Sequence, residues 1–313
     1  MADNMTPEER AARVLAKSPE AQKKQEEKKK QEEDPFYTEA NPHSHVKHMI
    51  GIVSGKGGVG KSSVTAMLAN YLVAEGFKVG ILDADITGPS IPKMYGVHGP
   101  TTGTEDGAYP VEAENGVKIM SINLMLDSEE EPVVWRGPVI AGAVKQFWTD
   151  VMWGDIDYLL VDMPPGTGDV PLTVYQSLPI NGIVIVTSPQ DLVRMIVTKA
   201  VNMANMMHVP VLGIVENYSY LKCPDCGKEI KVFGESHIEE VAKDLQLAVL
   251  GKLPLNPEFA EKADAGRVFD MKSEDLQRAA SVLKALQSDN SAHPRNRKCA
   301  VFFVCQVKGG LTF

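Results

Sequence analysis

The run Met49-Ile50-Gly51-Ile52-Val53-Ser54, followed directly by Gly55-Lys56-Gly57-Gly58-Val59-Gly60-Lys61-Ser62, decides the architecture of this chain. The first six residues are apolar and β-prone, the next eight fit the spacing G-x-x-x-x-G-K-[ST], and Lys61 to Glu75 carries a helical pattern. A strand, a glycine-rich turn and a helix in that order make a phosphate cradle. The glycines let successive backbone N–H groups turn toward phosphate oxygens, and the helix start adds its positive dipole end. Lys61 is then expected to reach the β- and γ-phosphates and Ser62 to offer its hydroxyl to Mg²⁺, with Ser63 closing the loop.

Beyond this loop, short apolar runs alternate with helical stretches. The runs are KVGILDAD (78–85), VKIMSIN (117–123), DYLLVDMP (157–164), GIVIVTSP (182–189) and VPVLGIVEN (209–217), rich in Ile, Val and Leu with little polar alternation. Strands buried on both faces read this way. Helices are expected over Lys61–Glu75, Val139–Trp153, Val170–Ser177, Leu192–Met207, His237–Leu245 and Asp275–Gln287. The alternation implies right-handed crossovers and an α/β fold: a doubly wound, mostly parallel sheet with helices on both faces. The domain is expected to run from 48 to 288, after a charged arm and linker (1–47) and before an irregular tail (289–313).

Two strand ends bring acids to the loop. ILDAD puts Asp83 and Asp85 at the end of the second strand, and LLVDMPPGTGD puts Asp162 at the end of another. In open α/β sheets the ligand crevice lies at such carboxyl ends. Asp162 is read as the carboxylate that holds Mg²⁺, Asp85 as a further Mg²⁺ ligand that orients the attacking water, and Gly166 as a γ-phosphate contact. A nucleoside triphosphate is the expected ligand and its hydrolysis the expected reaction.

These residues resemble a known family. KGGVGKS, with its additional Lys56, is similar to the deviant P-loop of the MinD/ParA-like ATPases. Within that group DADITGPSIPKMYG, WRGP, DMPPGTGD and VENYSYLKCPDCG resemble the Mrp/ApbC-type iron–sulfur carrier ATPases over about residues 48–270. The resemblance implies a nucleotide-sandwich homodimer in which Lys56 reaches the partner's phosphates, as a catalytic cation beside Lys61, Asp85 and Asp162. It also implies adenine recognition by Asn217, and acceptor apoproteins as partners. The alternative from another class is a partitioning or positioning ATPase that carries no metal cluster.

Cys223-Pro224-Asp225-Cys226 spaces two thiolates for one metal, which is half of a coordination shell. Three readings stand beside each other here. The resemblance implies that two chains supply four thiolates to one bridging [4Fe–4S] cluster. The pair also looks like half of a zinc ribbon, and CxxC is a redox spacing as well, although a redox pair is expected to open a helix rather than sit in a loop. Residues 1–47 contain no cysteine, so no ferredoxin-like cluster segment is expected there.

Composition narrows the classes further. The chain has 313 residues, with 43% hydrophobic and 23% charged, which argues against a disordered or fibrous protein. Lys and Arg number 32 against 41 Asp and Glu, a formal charge of −9, and this argues against a general nucleic-acid binder. Four cysteines are too few to staple the fold, so the thiols are read as reduced. With no leader pattern and no apolar run long enough to span a bilayer, a cytoplasmic location is expected. Met203, Met206 and Met207 are expected to pack on the sheet, as are Trp148 and Trp153. Leu276, Ala279, Ala280, Leu283 and Leu286 fall at helical spacing and are expected to close the domain.

Overall fold

The computed structural model describes residues 38–86, 88, 90–126, 137–189 and 193–286. The charged arm up to residue 37, Trp135, Arg136 and the tail with Cys299 and Cys305 lie outside them. In chain order the elements are β1 (Ser44–Val53), α1 (Lys61–Ala74), β2 (Val79–Asp83), α2 (Ile91–Tyr95), β3 (Gly103–Thr104), β4 (Gly107–Ala108), β5 (Val111–Glu112), β6 (Lys118–Met120) and α3 (Gly137–Thr149). Then follow β7 (Gly154–Asp162), α4 (Asp169–Ser177), β8 (Gly182–Thr187), α5 (Val193–Met206), β9 (Val211–Lys222), β10 (Glu229–Ile230), α6 (Ile238–Asp244), β11 (Val249–Pro254), α7 (Pro257–Asp264) and α8 (Gln277–Lys284).

Across the main sheet the strands run β11, β9, β8, β1, β7, β2, β6, β5, and β10 pairs with the far end of β9. Every pairing is parallel except β5 with β6 and β10 with β9. The doubly wound α/β fold expected from the alternation is therefore the fold observed. β1 lies between β7 and β8, so the winding reverses beside it, and such reversal points are where open α/β sheets leave a crevice.

Alternate residues on each strand face opposite layers. Met49, Leu82, Leu159, Val161, Ile183 and Ile185 join one apolar cluster with side chains of α3, α4, α5 and α6. Ile50, Ile52, Ile81, Leu160, Val184 and Val186 join the other, with α1, α2 and α8. Leu276, Ala279, Ala280 and Leu283 are buried in that second layer and Leu286 packs against it, as the helical spacing implies. Met203 and Met207 pack against the first, whereas Met206 stands 71% exposed. Met206 therefore departs from the expected packing, because α5 turns that position away from the sheet.

Trp153 is wholly buried, lies over Gly80 where a Cβ would come within 3.0 Å of its ring, and donates from Nε1 to the Phe147 carbonyl at 3.0 Å. Trp153→Ala removes that packing and leaves a cavity bounded by strands that cannot collapse onto it. It is expected to cost about 3–5 kcal/mol, read as a lower denaturation midpoint with an unchanged slope.

Three features were not legible in the apolar runs. β1 begins at Ser44, within the stretch read as a linker, because its first residues alternate between half-buried and exposed and pair with β7 from Ser44 opposite Gly154. β11 is interrupted by Gly251 and Lys252, and its pairing with β9 completes it. α7 buries no side chain, yet it carries a standard start: Asn256 Oδ1 accepts from the Glu258 amide at 3.0 Å and Pro257 follows the cap.

Candidate functional site

The ends of β1, β7 and β2 meet at one level. Ile52 pairs with Asp162, and Asp162 pairs with Asp83. Backbone bonds lace the segments that leave these strands: Ala84 N–H to Asp162 O at 2.9 Å, Met163 N–H to Ile52 O at 3.1 Å, and Gly166 N–H to Ser54 O at 2.8 Å. The last of these brings Gly166 beside the start of the glycine loop.

The loop itself depends on two left-handed glycines, Gly58 (φ 78°) and Gly60 (φ 75°), the latter at the N-terminus of α1. On Gly57 and Gly58 a Cβ would meet nothing within 4 Å, so this side of the loop opens outward. On Gly60 it would lie 2.2 Å from Asn217 Nδ2 and 2.6 Å from Tyr218 Oη. Gly60→Ala therefore combines unfavourable φ with displacement of both side chains. Nucleotide affinity is expected to fall at least about tenfold, or ~1.4 kcal/mol, by calorimetric titration, with wild-type affinity as the contrary result.

Lys61, Ser62 and Thr65 share one face of α1 and converge on Asp162. The Asp162 carboxylate is fully buried; it accepts from Ser62 Oγ at 2.5 Å and Thr65 Oγ1 at 2.9 Å and lies 2.7 Å from Lys61 Nζ. The second carboxylate, Asp85, is 3.9 Å from the same ammonium. Lys61 is only 6% exposed, and its approach to Asp162 is an ion pair outside hydrogen-bonding geometry, so its N–H donors are not spent on protein atoms. Lys56, on the loop, is half-buried.

Asp83, opposite Asp162 in the β2–β7 register, is a third acid at this level. Burial, then the neighbouring Asp162 carboxylate, pushes its carboxyl up to about 8 against the opposing pull of Lys61. Ser121 Oγ, 3.2 Å away, donates to it.

β9 links this site to the cysteines. Asn217 Nδ2 donates to the Val59 carbonyl at 3.0 Å, so the residue expected to recognise adenine stands against the loop. The strand then runs through Lys222 into Cys223, and the chain turns back at β10, with Cys223 N–H bonded to Lys228 O and Gly227 N–H to Cys223 O, both at 2.9 Å. Cys223 is half-buried and Cys226 exposed at this hairpin tip. Hydrogen bonds from the Cys226 and Asp225 amides, then from the Cys226 side chain, hold the Cys223 thiol below the usual range. Among the described residues no group of three or more His, Cys, Asp or Glu side chains is arranged to hold a metal. Thr65 and Glu216 are the polar residues at this site that sequence reasoning missed. Thr65 sits one helical turn after Lys61, and Glu216 interrupts the apolar run VLGIVEN.

Residues 45–288 match the ParA family model described as NUBPL iron-transfer P-loop NTPase. The chain belongs to this family. An iron-sulfur cluster carrier protein of Clostridium perfringens is 45% identical over 241 residues, covering 74% of this chain and 84% of that one. One from Methanocaldococcus jannaschii is 49% identical over 226 residues, 71% of this chain and 78% of that one. A solved nucleotide-binding protein from Archaeoglobus fulgidus, in complex with ADP and with cobalt found in it, is 42% identical with a TM-score of 0.67, covering 74% and 91% of the two chains. MinD of Aquifex aeolicus, 20% identical with a TM-score of 0.51 over 76% of this chain and 95% of that one, shares the fold.

In this P-loop NTPase the donor sets sort by hardness. The loop end offers only oxygens for a cation, from Ser62, Asp85 and Asp162, and an ammonium with unspent donors for phosphate, a set suited to Mg²⁺ and a nucleotide. The hairpin offers two soft sulfurs, one biased toward thiolate, which suit iron–sulfur or zinc chemistry and not a hard cation. No described helix is long and apolar enough to cross a membrane.

Proposed function

We propose that this protein is an ATP-dependent iron–sulfur cluster carrier that works as a homodimer, its cargo a [4Fe–4S] cluster held by Cys223 and Cys226 of two chains. The observation that carries the reading is the half-shell: a hairpin presents two thiols, one of them thiolate-biased, and no third ligand accompanies them among the described residues. A four-iron cluster takes four thiolates, so two hairpins related by a twofold axis complete it. Thiols at a hairpin tip, one exposed and one half-buried, also suit release to an acceptor apoprotein better than an enclosed site does.

Beside the middle of β9, the loop from Gly55 to Ser63 wraps the phosphates of ATP, with the amides of Gly57, Gly58, Val59 and Gly60 and the start of α1 as donors. Ser62, Asp162 and Asp85 would hold Mg²⁺, which would supply positive charge against the phosphoryl oxygens. Lys61 gives its unspent donors to the same oxygens. Lys56 of the partner chain adds positive charge as the γ-phosphoryl group transfers, so that hydrolysis waits on dimer closure. Asp85 orients the attacking water, Gly166 approaches the γ-phosphate through its backbone, and Asn217 hydrogen-bonds the adenine.

The test is cluster transfer. Reconstituted protein is mixed anaerobically with an apoenzyme that requires a [4Fe–4S] cluster, with and without Mg-ATP, and the recovered activity is followed. Recovery that depends on both cysteines and is changed by Mg-ATP supports the reading. Recovery no greater than from free iron and sulfide contradicts it. ATP-dependent sedimentation with vesicles or DNA, without any cysteine-bound metal, would mean a positioning ATPase instead.

A further inference from the structure

β9 passes both the nucleotide loop and the cysteine hairpin, and its middle is irregular. Against β11 it pairs Glu216 with Lys252 and Tyr220 with Pro254, so four steps on β9 match two on its neighbour and Asn217, Tyr218 and Ser219 form a bulge. Tyr218, at its centre, has φ 59°, a conformation an aromatic residue holds only where its surroundings impose it. The bulge aims two side chains at the loop: Asn217 bonds the Val59 carbonyl, and Tyr218 Oη lies where a Gly60 Cβ would be 2.6 Å away.

Glu216 pins this bulge from below. Its carboxylate is fully buried and accepts from Ser219 Oγ at 2.7 Å and from Ser236 Oγ at 2.8 Å; the Ser219 hydroxyl also lies 3.0 Å from the Glu216 carbonyl. The two serines come from opposite sides of the cysteine excursion. Ser219 precedes Cys223 on β9, whereas Ser236 follows β10 and accepts from the Ile238 amide at 3.3 Å, where α6 begins. One buried carboxylate thus ties both stems of the cysteine hairpin to the residue before Asn217. A buried charge held by two segments keeps their spacing fixed, because losing either bond leaves it under-satisfied.

We propose that Glu216 is a positioning residue that couples nucleotide at the Gly55–Ser63 loop to the exposure of Cys223 and Cys226, through the 217–219 bulge on one side and Ser236 on the other. Loop atoms that shift on binding phosphate press on Asn217 and Tyr218. The bulge passes the shift to Glu216, and Ser236 carries it to the far stem of the hairpin, about 20 Å of strand from Asn217 to Cys223 having no other break. Linkage makes the effect mutual: whatever nucleotide does to the hairpin, a ligand on the hairpin does to nucleotide affinity. The inference rests on the proposed reading only for nucleotide binding at the loop.

Iodoacetamide labelling of the metal-free full-length protein tests it, with the rates at Cys223 and Cys226 read by mass spectrometry in the presence and absence of saturating Mg-ADP. The wild-type rates are expected to change at least about fivefold with nucleotide, within the usual range of site coupling. In Ser236→Ala, which touches neither the loop nor the cysteines, the nucleotide-free rates and Mg-ADP affinity are expected to stay within about twofold while the response collapses toward unity. Glu216→Gln, which keeps the shape and one acceptor oxygen, is expected to retain more of the response than Glu216→Ala. A serine that only supported the fold would raise both rates together and preserve their ratio. A wild-type response in Ser236→Ala, or no response in the wild type, overturns the proposal. The second result in a protein that still loads a cysteine-dependent cluster would sink the relay and leave the carrier reading intact. A relay that responds in a protein loading no such cluster would do the reverse.

Discussion

Lys61→Met is expected to lower Mg-ATP turnover by about 10²–10³-fold, or ~3–4 kcal/mol of transition-state stabilisation, the usual cost of removing one preorganised group aimed at developing charge. The side chain is almost wholly buried and faces two carboxylates, with Nζ 2.7 Å from Asp162 and 3.9 Å from Asp85. Methionine keeps the length and loses the charge. The same change leaves Asp162 without its counter-ion, although Ser62 and Thr65 still donate to it. Breaking a buried pair in this way costs about 3–5 kcal/mol in a folded protein, so thermal unfolding is followed beside phosphate release. A folded variant that has lost turnover but still loads metal at the cysteines would separate the nucleotide loop from the cysteine hairpin. Turnover within about twofold of wild type would remove Lys61 from the phosphate site.

The second large effect is expected from Cys223→Ser with Cys226→Ser. Serine oxygens are hard and stay protonated near neutral pH, so the pair should lose all cysteine-dependent iron and sulfide after anaerobic reconstitution. Nucleotide affinity should stay within about twofold, because the hairpin tip lies beyond the bulge and its backbone bonds need no sulfur. The single variants should also differ. Cys223 is the thiol held toward thiolate by the Cys226 and Asp225 amides, so its alkylation sets in below the pH of an ordinary thiol and should survive Cys226→Ser in part, since the amide donors remain. Retention of a four-iron signal in the double variant would place the cluster on other ligands.

The parallel sheet was legible because strands buried on both faces leave uninterrupted apolar runs, and β2, β7, β8 and the second half of β1 have them. β11 was not, because a strand with Gly251 and Lys252 in it becomes a strand only through its register with β9, a contact distant in sequence. At the site, a fixed local spacing gave away the loop from Gly55 to Ser63, and acids at strand ends pointed to Asp85 and Asp162. The depth of the ion pair between Lys61 and Asp162 needs the β1–β7–β2 register, which no local pattern encodes. Thr65 hides for a simpler reason: a threonine in a helix looks like any other until its hydroxyl is seen 2.9 Å from a buried carboxylate. Glu216 carried a visible signal, a charge inside an apolar run, and its partner Ser236 stands 20 residues away on the far side of the cysteine hairpin.

On the proposed reading, two chains share one cluster through their hairpins while each keeps its own nucleotide loop. Native mass spectrometry of the anaerobically reconstituted full-length protein reads assembly and cargo in one spectrum. The expected species is a dimer carrying four irons and four sulfides, about 352 Da above the metal-free dimer, and absent when Cys223 and Cys226 are both serine. A monomer carrying its own cluster, or one zinc bound per chain, would contradict a shared site.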